Sequence, residues 1–134
     1  MKKFDRSVSL RQVEIANQFL SALDKHIADL QSGQVETAYE VNQFAGLLFI
    51  NPNHLSDTVK EVLGKSPCAV YEEKLIFISK DLLTNTNKPI SEIARILDFE
   101  PSHFTKFFKR FTDKTPKAYR KENHPDLKTE KVTI

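Results

Sequence analysis

The chain has 134 residues, a formal net charge of +2 and 40% hydrophobic residues, including ten Phe, with only three Gly and one Cys. This length fits one domain, with or without a terminal extension. The lone Cys68 excludes an intramolecular disulfide and fits a reducing cytoplasm. The sequence shows no metal-ligand cluster, nucleophile–base pair, Gly-rich phosphate loop, signal peptide or transmembrane run. We therefore expect a cytoplasmic, non-membrane, all-α protein that is not an enzyme and uses no metal or cofactor.

The first predicted element is an amphipathic helix that begins after Ser9 and ends at Gly33. Ser9 and Gln12 have the spacing of a capping box. We expect the apolar stripe of this helix to pack on the helices that follow, although the same spacing could form a short coiled-coil seam with a second copy. Residues 1–6 are polar and are expected to fray. The stripe consists of Ala16, Phe19, Leu20, Leu23, Ile27 and Leu30.

A short helix, a turn and a second helix are predicted next. Thr37 and Glu40 have the spacing of another capping box, and the turn falls at residues 49–51. Asn51 suits the N-cap of the second helix, and Pro52 suits its first residue. Helical periodicity predicts that this pair buries Val41, Phe44, Ala45, Leu48, Leu55, Val59 and Val62.

A long helix is predicted from Ser66 and Pro67 to about Thr84, followed by a polar loop. Its apolar residues cover a wide arc, which indicates burial on more than one side. At about 1.5 Å per residue this helix is roughly 27 Å long, so we interpret it as a connector between two larger parts. Its apolar residues are Val70, Tyr71, Leu75, Ile76, Ile78, Leu82 and Leu83.

The stretch ISEIARILDFEPSHFTKFFKRFTDKTPKAYR, residues 90–120, contains a second helix pair and a last short helix that opens at Pro116. The second helix of this pair begins at Pro101, because proline is a favoured first helical residue. Its four Phe recur at spacings of three and four and must be buried, whereas basic side chains fall outside that stripe. This pattern predicts a DNA-binding helix-turn-helix. The stripe consists of Phe104, Phe107, Phe108 and Phe111.

The two helix pairs overlay without a gap when the sequence is shifted by 49 residues. Matches at helix starts and core positions favour two copies of one unit over two unrelated helix pairs. The matches are Ala94 with Ala45, Leu97 with Leu48, Pro101 with Pro52, His103 with His54, Phe104 with Leu55, Phe108 with Val59, Lys109 with Lys60 and Pro116 with Pro67.

The motifs NPNHLSDTVKEVLGKSP, ISEIARILDF, PSHFTKFFKR and DKTPKAYR resemble those of the DNA-binding domain of the arabinose-regulator (AraC/XylS) transcription factors, in the same order and spacing. The resemblance covers residues 37–120. Three departures stand out. Asp98 replaces the family's usual Gly in the second turn, which is also one residue shorter, and Asp57 replaces a basic or amide side chain.

The resemblance implies an all-α, homeodomain-like fold of about seven helices, with two helix-turn-helix subdomains joined by the long connector helix. It implies a bacterial activator that binds specific double-stranded DNA and contacts RNA polymerase. The connector is comparable to one turn of B-DNA, about 34 Å, which suits two recognition helices in successive major grooves. Most members also carry a ligand-sensing domain, so we expect the C-terminal half of such a regulator rather than a stand-alone short member.

The expected organisation has five parts. Residues 1–36 form the N-terminal extension and first helix, and residues 37–66 form the first helix-turn-helix. Residues 67–88 are the connector and loop, residues 89–121 the second helix-turn-helix, and residues 122–134 a disordered polar tail.

Base reading is expected from exposed side chains in the first two turns of each recognition helix. Lys106 can donate to guanine, Asn53 suits adenine, and Asp57 could accept from cytosine N4. His54 and His103 occupy equivalent places, so the sequence favours a shared structural role and base contact equally. The resemblance assigns base contacts to Asn53, Ser56, Asp57, Ser102, His103 and Lys106, and position within the helix adds Thr105.

Phosphate contacts are expected from basic side chains around the same helices. From residue 104 to 121 seven basic residues stand against Asp113 alone, a local charge of +6. They are Lys106, Lys109, Arg110, Lys114, Lys117, Arg120 and Lys121. We assign phosphate contacts to Lys60, Lys65, Lys109, Arg110, Lys114 and Lys117.

Two functions compete. The first is a sequence-specific DNA-binding transcription regulator that reads two adjacent major-groove segments. The second is a helical protein–protein adaptor that has lost specific DNA binding, favoured by the low net charge and by Asp57, which could be a solvated acid that repels phosphate.

Overall fold

The computed structural model describes residues 8–126, and this part of the chain forms seven helices and no strand. The chain divides into two compact units, the first ending at Glu73 and the second beginning at Lys74. The predicted all-α class is therefore confirmed. The predictions of a frayed start at residues 1–6 and of a disordered tail over residues 127–134 lie outside the described residues.

The first unit opens with α1, Leu10–Ser32, which begins and ends as predicted. The Ser9 hydroxyl accepts the Gln12 N–H at 3.1 Å, and Gln12 Oε1 accepts the Ser9 N–H at 2.8 Å. Gly33 ends the helix with a φ of 83°, a left-handed conformation that glycine adopts without steric cost.

The apolar stripe of α1 is buried within its own unit. It packs on α2, Val41–Leu48, and on α3, Pro52–Leu63, so the intramolecular interpretation holds over the coiled-coil alternative. Leu20 is only half-buried, whereas two residues outside the predicted stripe, Ile15 and His26, are buried.

The predicted capping box of Thr37 and Glu40 is wrong. The N-cap of α2 is Glu40 itself, and its backbone N–H donates to Gln43 Oε1 at 2.9 Å. The capping box is formed instead by Glu40 and Gln43, three residues later than predicted. The backbone N–H of Tyr39 is bound to His26 on α1 at 3.0 Å, and this contact fixes the chain just before the later start.

The turn between α2 and α3 places Phe49 in the left-handed region, with a φ of 59°. Asn51 then caps α3 as predicted, because its side-chain oxygen accepts the N–H groups of Asn53 and His54 at 2.8 and 3.2 Å. Gly64 ends α3 with a φ of 77°. Phe44, Ala45, Leu55 and Val59 are buried as predicted, whereas Val41, Leu48 and Val62 are half-buried.

The predicted connector is α4, Pro67–Asn85, a continuous helix that begins in the first unit and ends in the second. The Ser66 hydroxyl accepts the Ala69 N–H at 3.1 Å and caps its start. None of the helices among residues 8–126 combines the length and the apolar character that crossing a membrane requires.

The second unit contains α5, Ile90–Ile96, α6, Pro101–Thr112, and α7, Pro116–Asn123. Phe104 and Phe108 are fully buried and Phe107 nearly so, as predicted. The expected burial of Phe111 is wrong, since 43% of this residue is exposed. The ring of Phe99, which precedes the stripe, stacks on Phe107 at 4.9 Å and completes the aromatic core.

The repeat at a spacing of 49 residues is confirmed by the helix bounds. α3 and α6 each have 12 residues, and their first residues, Pro52 and Pro101, are 49 positions apart. The left-handed residues repeat at the same spacing, because Asp98 has a φ of 66° at the position that matches Phe49. Asp113, with a φ of 65°, likewise matches Gly64.

The end of the described chain is more ordered than the predicted tail. α7 continues through Glu122 and Asn123, and His124 is only 7% exposed. The Thr115 hydroxyl accepts the Ala118 N–H at 3.1 Å, which caps α7. Tyr119 on α7 contacts Phe108 edge-on at 5.4 Å, so the last helix packs on the aromatic core as predicted.

Candidate nucleic-acid interface

The outer face of α6 carries the predicted readers of the second unit. Ser102, Lys106 and Lys109 lie at spacings of four and three residues, so they share the helix face that points away from the buried Phe stripe. All three are exposed. Thr105 is half-buried at one edge of this face, and His103 is exposed at the other.

Arg110 is positioned by aromatic rings. Its guanidinium carbon lies 5.0 Å from the centroid of the Phe111 ring and 6.0 Å from that of Phe107. Such contacts attract a cation to a ring face and restrict a long side chain. The exposed Phe111 therefore serves as a support for Arg110, a role that a simple core stripe did not suggest.

The outer face of α3 has the same arrangement of positions as that of α6. Asn53, Asp57 and Lys60 occupy the positions that match Ser102, Lys106 and Lys109, and all three are exposed. Ser56 is half-buried, as is its counterpart Thr105. His54, like His103, is exposed, which leaves both imidazoles available to solvent or to a ligand.

The two outer faces carry opposite charges at two matching positions. Asp57 on α3 stands where α6 has Lys106, and Glu61 stands where α6 has Arg110. The Glu61 carboxylate accepts a hydrogen bond from the Gln12 side chain at 2.7 Å, which ties it to α1. Glu61 was not among the predicted site residues, although the shift of 49 residues identifies it as the counterpart of Arg110.

Two of the predicted phosphate-binding lysines are already paired with acids. Lys65 forms an ion pair with Glu73, and Lys114 forms one with Glu122. Both pairs are exposed, so each contributes about 0–1 kcal/mol and can be broken by a stronger partner. Lys60, Lys109 and Lys117 are exposed as well.

Arg120 does not belong to the basic surface, which corrects the local charge of +6. Its guanidinium donates to the backbone oxygens of Leu83 and Lys88 at 3.0 and 2.7 Å, and to those of Leu82 and Thr86 at 3.4 and 3.2 Å. Burial lowers the pKa of this guanidinium, which still remains protonated at neutral pH. Arg120 thus holds the end of α4 and the following loop within the second unit.

A surface cavity of about 510 Å³ adjoins the N-terminus of α6. His103 lines it together with Ser91 and Arg95 of α5, neither of which was predicted to take part in a site. Glu100, the N-cap of α6, also lines it and places a carboxylate at the helix start. Among residues 8–126, no cluster of three His, Cys, Asp or Glu side chains could hold a metal ion.

Comparison with known proteins agrees with this geometry. A family model described as a helix-turn-helix domain matches residues 44–122. The arabinose operon regulatory protein of Salmonella typhimurium is 25% identical over 117 residues, which cover 83% of this chain and 42% of that protein. The chain therefore spans about two fifths of the length of this curated relative.

Solved structures show the same fold. The C-terminal domain of the two-component response regulator yesN from Fusobacterium nucleatum has a TM-score of 0.66 and 24% identity, covering 76% of this chain and 93% of that one. The DNA-binding domain of the global transcriptional factor AdpA, solved with a target DNA, has a TM-score of 0.60 and 17% identity, covering 71% and 89%. With two matching helix-turn-helix units and a family match over most of its length, the chain belongs to the AraC-type helix-turn-helix family of DNA-binding transcription regulators.

Proposed function

We propose that this chain binds a specific double-stranded DNA sequence by inserting α3 and α6 into two adjacent major-groove segments. The observation that supports this most directly is the matched pair of recognition helices, each with a buried inner face and an exposed polar outer face. Helices of this kind read base edges with residues near their N-termini. A structural relative, the DNA-binding domain of AdpA, was solved with a target DNA, which supports DNA binding by this fold.

The second unit provides the main electrostatic contact in this proposal. Lys109 and Arg110, with Lys117 on α7, neutralise phosphates, and Lys114 joins them by leaving Glu122. Ser102, His103 and Thr105 approach base edges, and Lys106 donates to guanine O6 and N7. Phosphate contacts supply most non-specific affinity, so α6 anchors the protein.

The first unit adds selectivity with little affinity. Asn53 suits adenine, Asp57 accepts from cytosine N4, and Ser56 can bond to any base. Lys60 contacts phosphate, and Lys65 can do so after leaving Glu73. Because Asp57 and Glu61 oppose the charge of Lys60, the net attraction of α3 for phosphate is small.

The relatives support a wider role for the chain. We infer that the chain is the DNA-binding part of a longer bacterial regulator, whose ligand-sensing domain precedes it, and that it activates transcription in the cytoplasm through RNA polymerase. The arabinose operon regulatory protein, of which this chain matches only 42%, supports an additional domain.

The first experiment is selection of bound duplexes from a random DNA pool, followed by the same selection with Lys106→Ala. Wild-type protein should enrich a bipartite sequence with one segment for each recognition helix. Lys106→Ala should relax the preference at one position of the second segment and cost about 1–3 kcal/mol. Lys121→Ala, an exposed change on α7, is the matched control and should leave the selected sequence unchanged. A uniform loss of affinity with an unchanged preference would make Lys106 a phosphate contact.

The adaptor function remains the second candidate, because Asp57 and Glu61 place two acids on the outer face of α3, which is unlike a DNA-binding surface. A salt titration on the selected duplex separates the two. A DNA reader loses affinity steeply as the salt concentration rises, whereas an adaptor binds DNA weakly at every salt concentration.

A further inference from the structure

The first unit contains a cavity of about 430 Å³ among α1, α2 and the start of α4. This volume lies within the range of small-molecule sites, roughly 300–1,000 Å³. None of the lining residues belongs to α3, so the cavity is separate from the proposed DNA-reading face. Four of its nine lining residues are aromatic, namely Phe19, Tyr39, Phe44 and Tyr71.

These aromatic side chains support one another. The Phe44 ring contacts Phe19 and Tyr39 edge-on, each at 5.6 Å, and Tyr71 at 6.5 Å. Phe19 and Phe44 are almost completely buried. A wall held by mutual ring contacts is already formed before a ligand arrives, which lowers the entropic cost of binding.

His26 forms a second layer behind Tyr39. The two rings stack at 4.0 Å, and His26 Nε2 accepts the Tyr39 N–H at 3.0 Å. Burial lowers the pKa of the His26 imidazole below its ordinary value of 6.5, against a smaller opposing effect of the Asp29 carboxylate. The imidazole is therefore uncharged at neutral pH and adds no positive charge behind the wall.

The cavity has one formal charge, which offsets the partial positive charge of the α2 and α4 N-termini that also line it. Glu40 is the only formally charged residue among those that line it, and the other polar lining residues are neutral amide, phenol or thiol groups. Aromatic ring faces and a carboxylate both attract cations, and both disfavour anions. We propose that this cavity binds a small lipophilic cation, an ammonium ion that carries an aromatic or alkyl group.

The proposal is tested with three probes of similar size and different charge. They are benzyltrimethylammonium, its neutral carbon analogue neopentylbenzene, and the anion phenylacetate. Each is titrated into the purified chain without DNA, and amide NMR shifts are followed at Tyr39, Phe44 and Tyr71. The ammonium ion should bind saturably, about tenfold more tightly than the neutral analogue. Equal binding of the two, or no saturable binding of the ammonium ion, would overturn the proposal.

Glu40→Gln tests the contribution of the carboxylate. This variant should bind benzyltrimethylammonium several-fold more weakly and neopentylbenzene unchanged, because only the cation gains from the charge. Glu36→Gln is the matched control: it removes an exposed carboxylate four residues away that does not line the cavity, and it should bind like wild type. An equal loss in both variants would show that the cation is attracted by general surface charge, which contradicts a site.

Cys68 provides an independent readout, because it lines the cavity, is exposed and is the only cysteine of the chain. Saturating benzyltrimethylammonium should slow its alkylation by iodoacetamide several-fold, while phenylacetate at the same concentration should not. An unchanged rate with the ammonium ion bound would place that ion elsewhere and overturn the proposal. These measurements use no DNA, so their failure and a failure of the proposed DNA-binding function are separable.

Discussion

At the scale of single residues, Phe49 combines two unfavourable features. It lies in the left-handed region with a φ of 59°, and 92% of it is exposed. A non-glycine residue in this region costs roughly 1–2 kcal/mol. An exposed ring offsets little of that cost, because only buried apolar surface is stabilising. The sequence did not reveal this position as left-handed, since glycine marks the helix ends at residues 33 and 64 but not this turn.

Phe49→Gly should therefore stabilise the first unit. We expect the free energy of unfolding to rise by about 0.5–1 kcal/mol, because glycine removes the backbone strain but gains entropy in the unfolded chain. Urea denaturation measures this change. Phe49→Ala, which removes the ring and keeps the strained φ, should show no such gain. A gain of equal size in both variants would attribute the effect to the exposed ring rather than to the backbone.

Arg120 was assigned to the basic surface from its place in the sequence, and that interpretation failed for a physical reason. Its acceptors lie 32 to 38 residues earlier, so no local pattern could indicate them. The four carbonyl groups belong to the last turn of α4 and the following loop, where backbone acceptors outnumber intrahelical donors. The Leu82 oxygen also accepts the Thr86 N–H at 3.2 Å. One guanidinium satisfies several of these carbonyl groups.

Arg120→Ala should destabilise the second unit by about 3 kcal/mol, because hydrogen bonds from a charged donor contribute about 1.5–3 kcal/mol and the freed carbonyls belong to buried or half-buried residues. Arg120→Lys should recover only part of this, since an ammonium group cannot present the same fork of donors. Thermal unfolding measures both. Lys121→Ala, exposed on the same helix, should stay within about 0.5 kcal/mol of wild type. Equal stability of wild type and Arg120→Ala would refute the capping role.

At the scale of elements, patterns within one helix predicted most helix starts, whereas specific hydrogen bonds between helices were not predicted. Pro52, Pro101 and Pro116 mark helix starts because proline is tolerated there, so three helices could be placed within a residue. The start of α2 was misplaced, because the bond from Tyr39 to His26 joins distant parts of the chain. Periodicity showed which face of α1 is buried, but it did not predict that His26 would be buried there.

The burial of His26 makes the first unit sensitive to acid. The folded pKa lies below the unfolded value of about 6.5, so the unfolded chain binds more protons and stability falls as the pH drops below about 6.5. One proton limits the slope to about 1.4 kcal/mol per pH unit. The Asp29 carboxylate on α1 opposes this pKa shift, and the phenols of Tyr39 and Tyr71 also face the imidazole.

This dependence is measured by urea denaturation of wild type and His26→Gln between pH 7.5 and 5. Gln keeps a side-chain acceptor but does not titrate, so its stability should vary less over this range even if its absolute stability is lower. His54→Gln, at an exposed histidine, is the control and should follow wild type. Parallel pH profiles for wild type and His26→Gln would show that other groups cause the acid sensitivity.

At the scale of the whole molecule, the repeat was the most predictable feature and the division of charge was predictable only in part. The 49-residue shift anticipated matching helices, and the structure extends the match to the left-handed turn residues. Counting residues assigned +6 to the second unit, but Arg120 is used internally and Lys114 is paired with Glu122. A count along the chain treats every basic side chain as available to bind phosphate. The fold decides which of them already have partners within the protein.

The corrected charges still predict that the two units contribute unequally to phosphate binding. Lys109→Gln with Arg110→Gln should lower the salt dependence of the Kd by roughly two units, near 0.9 for each phosphate that the protein no longer neutralises. Lys60→Gln with Lys65→Gln removes the same formal charge but should lower it less, because Glu73 already pairs with Lys65 and the acids of α3 offset Lys60. The Kd is measured against salt concentration on the selected duplex and on a scrambled one, where the same order should hold because phosphate contacts carry no sequence information. Equal reductions for the two double variants would mean that both units bind the backbone alike and that the acidic face of α3 has no electrostatic consequence.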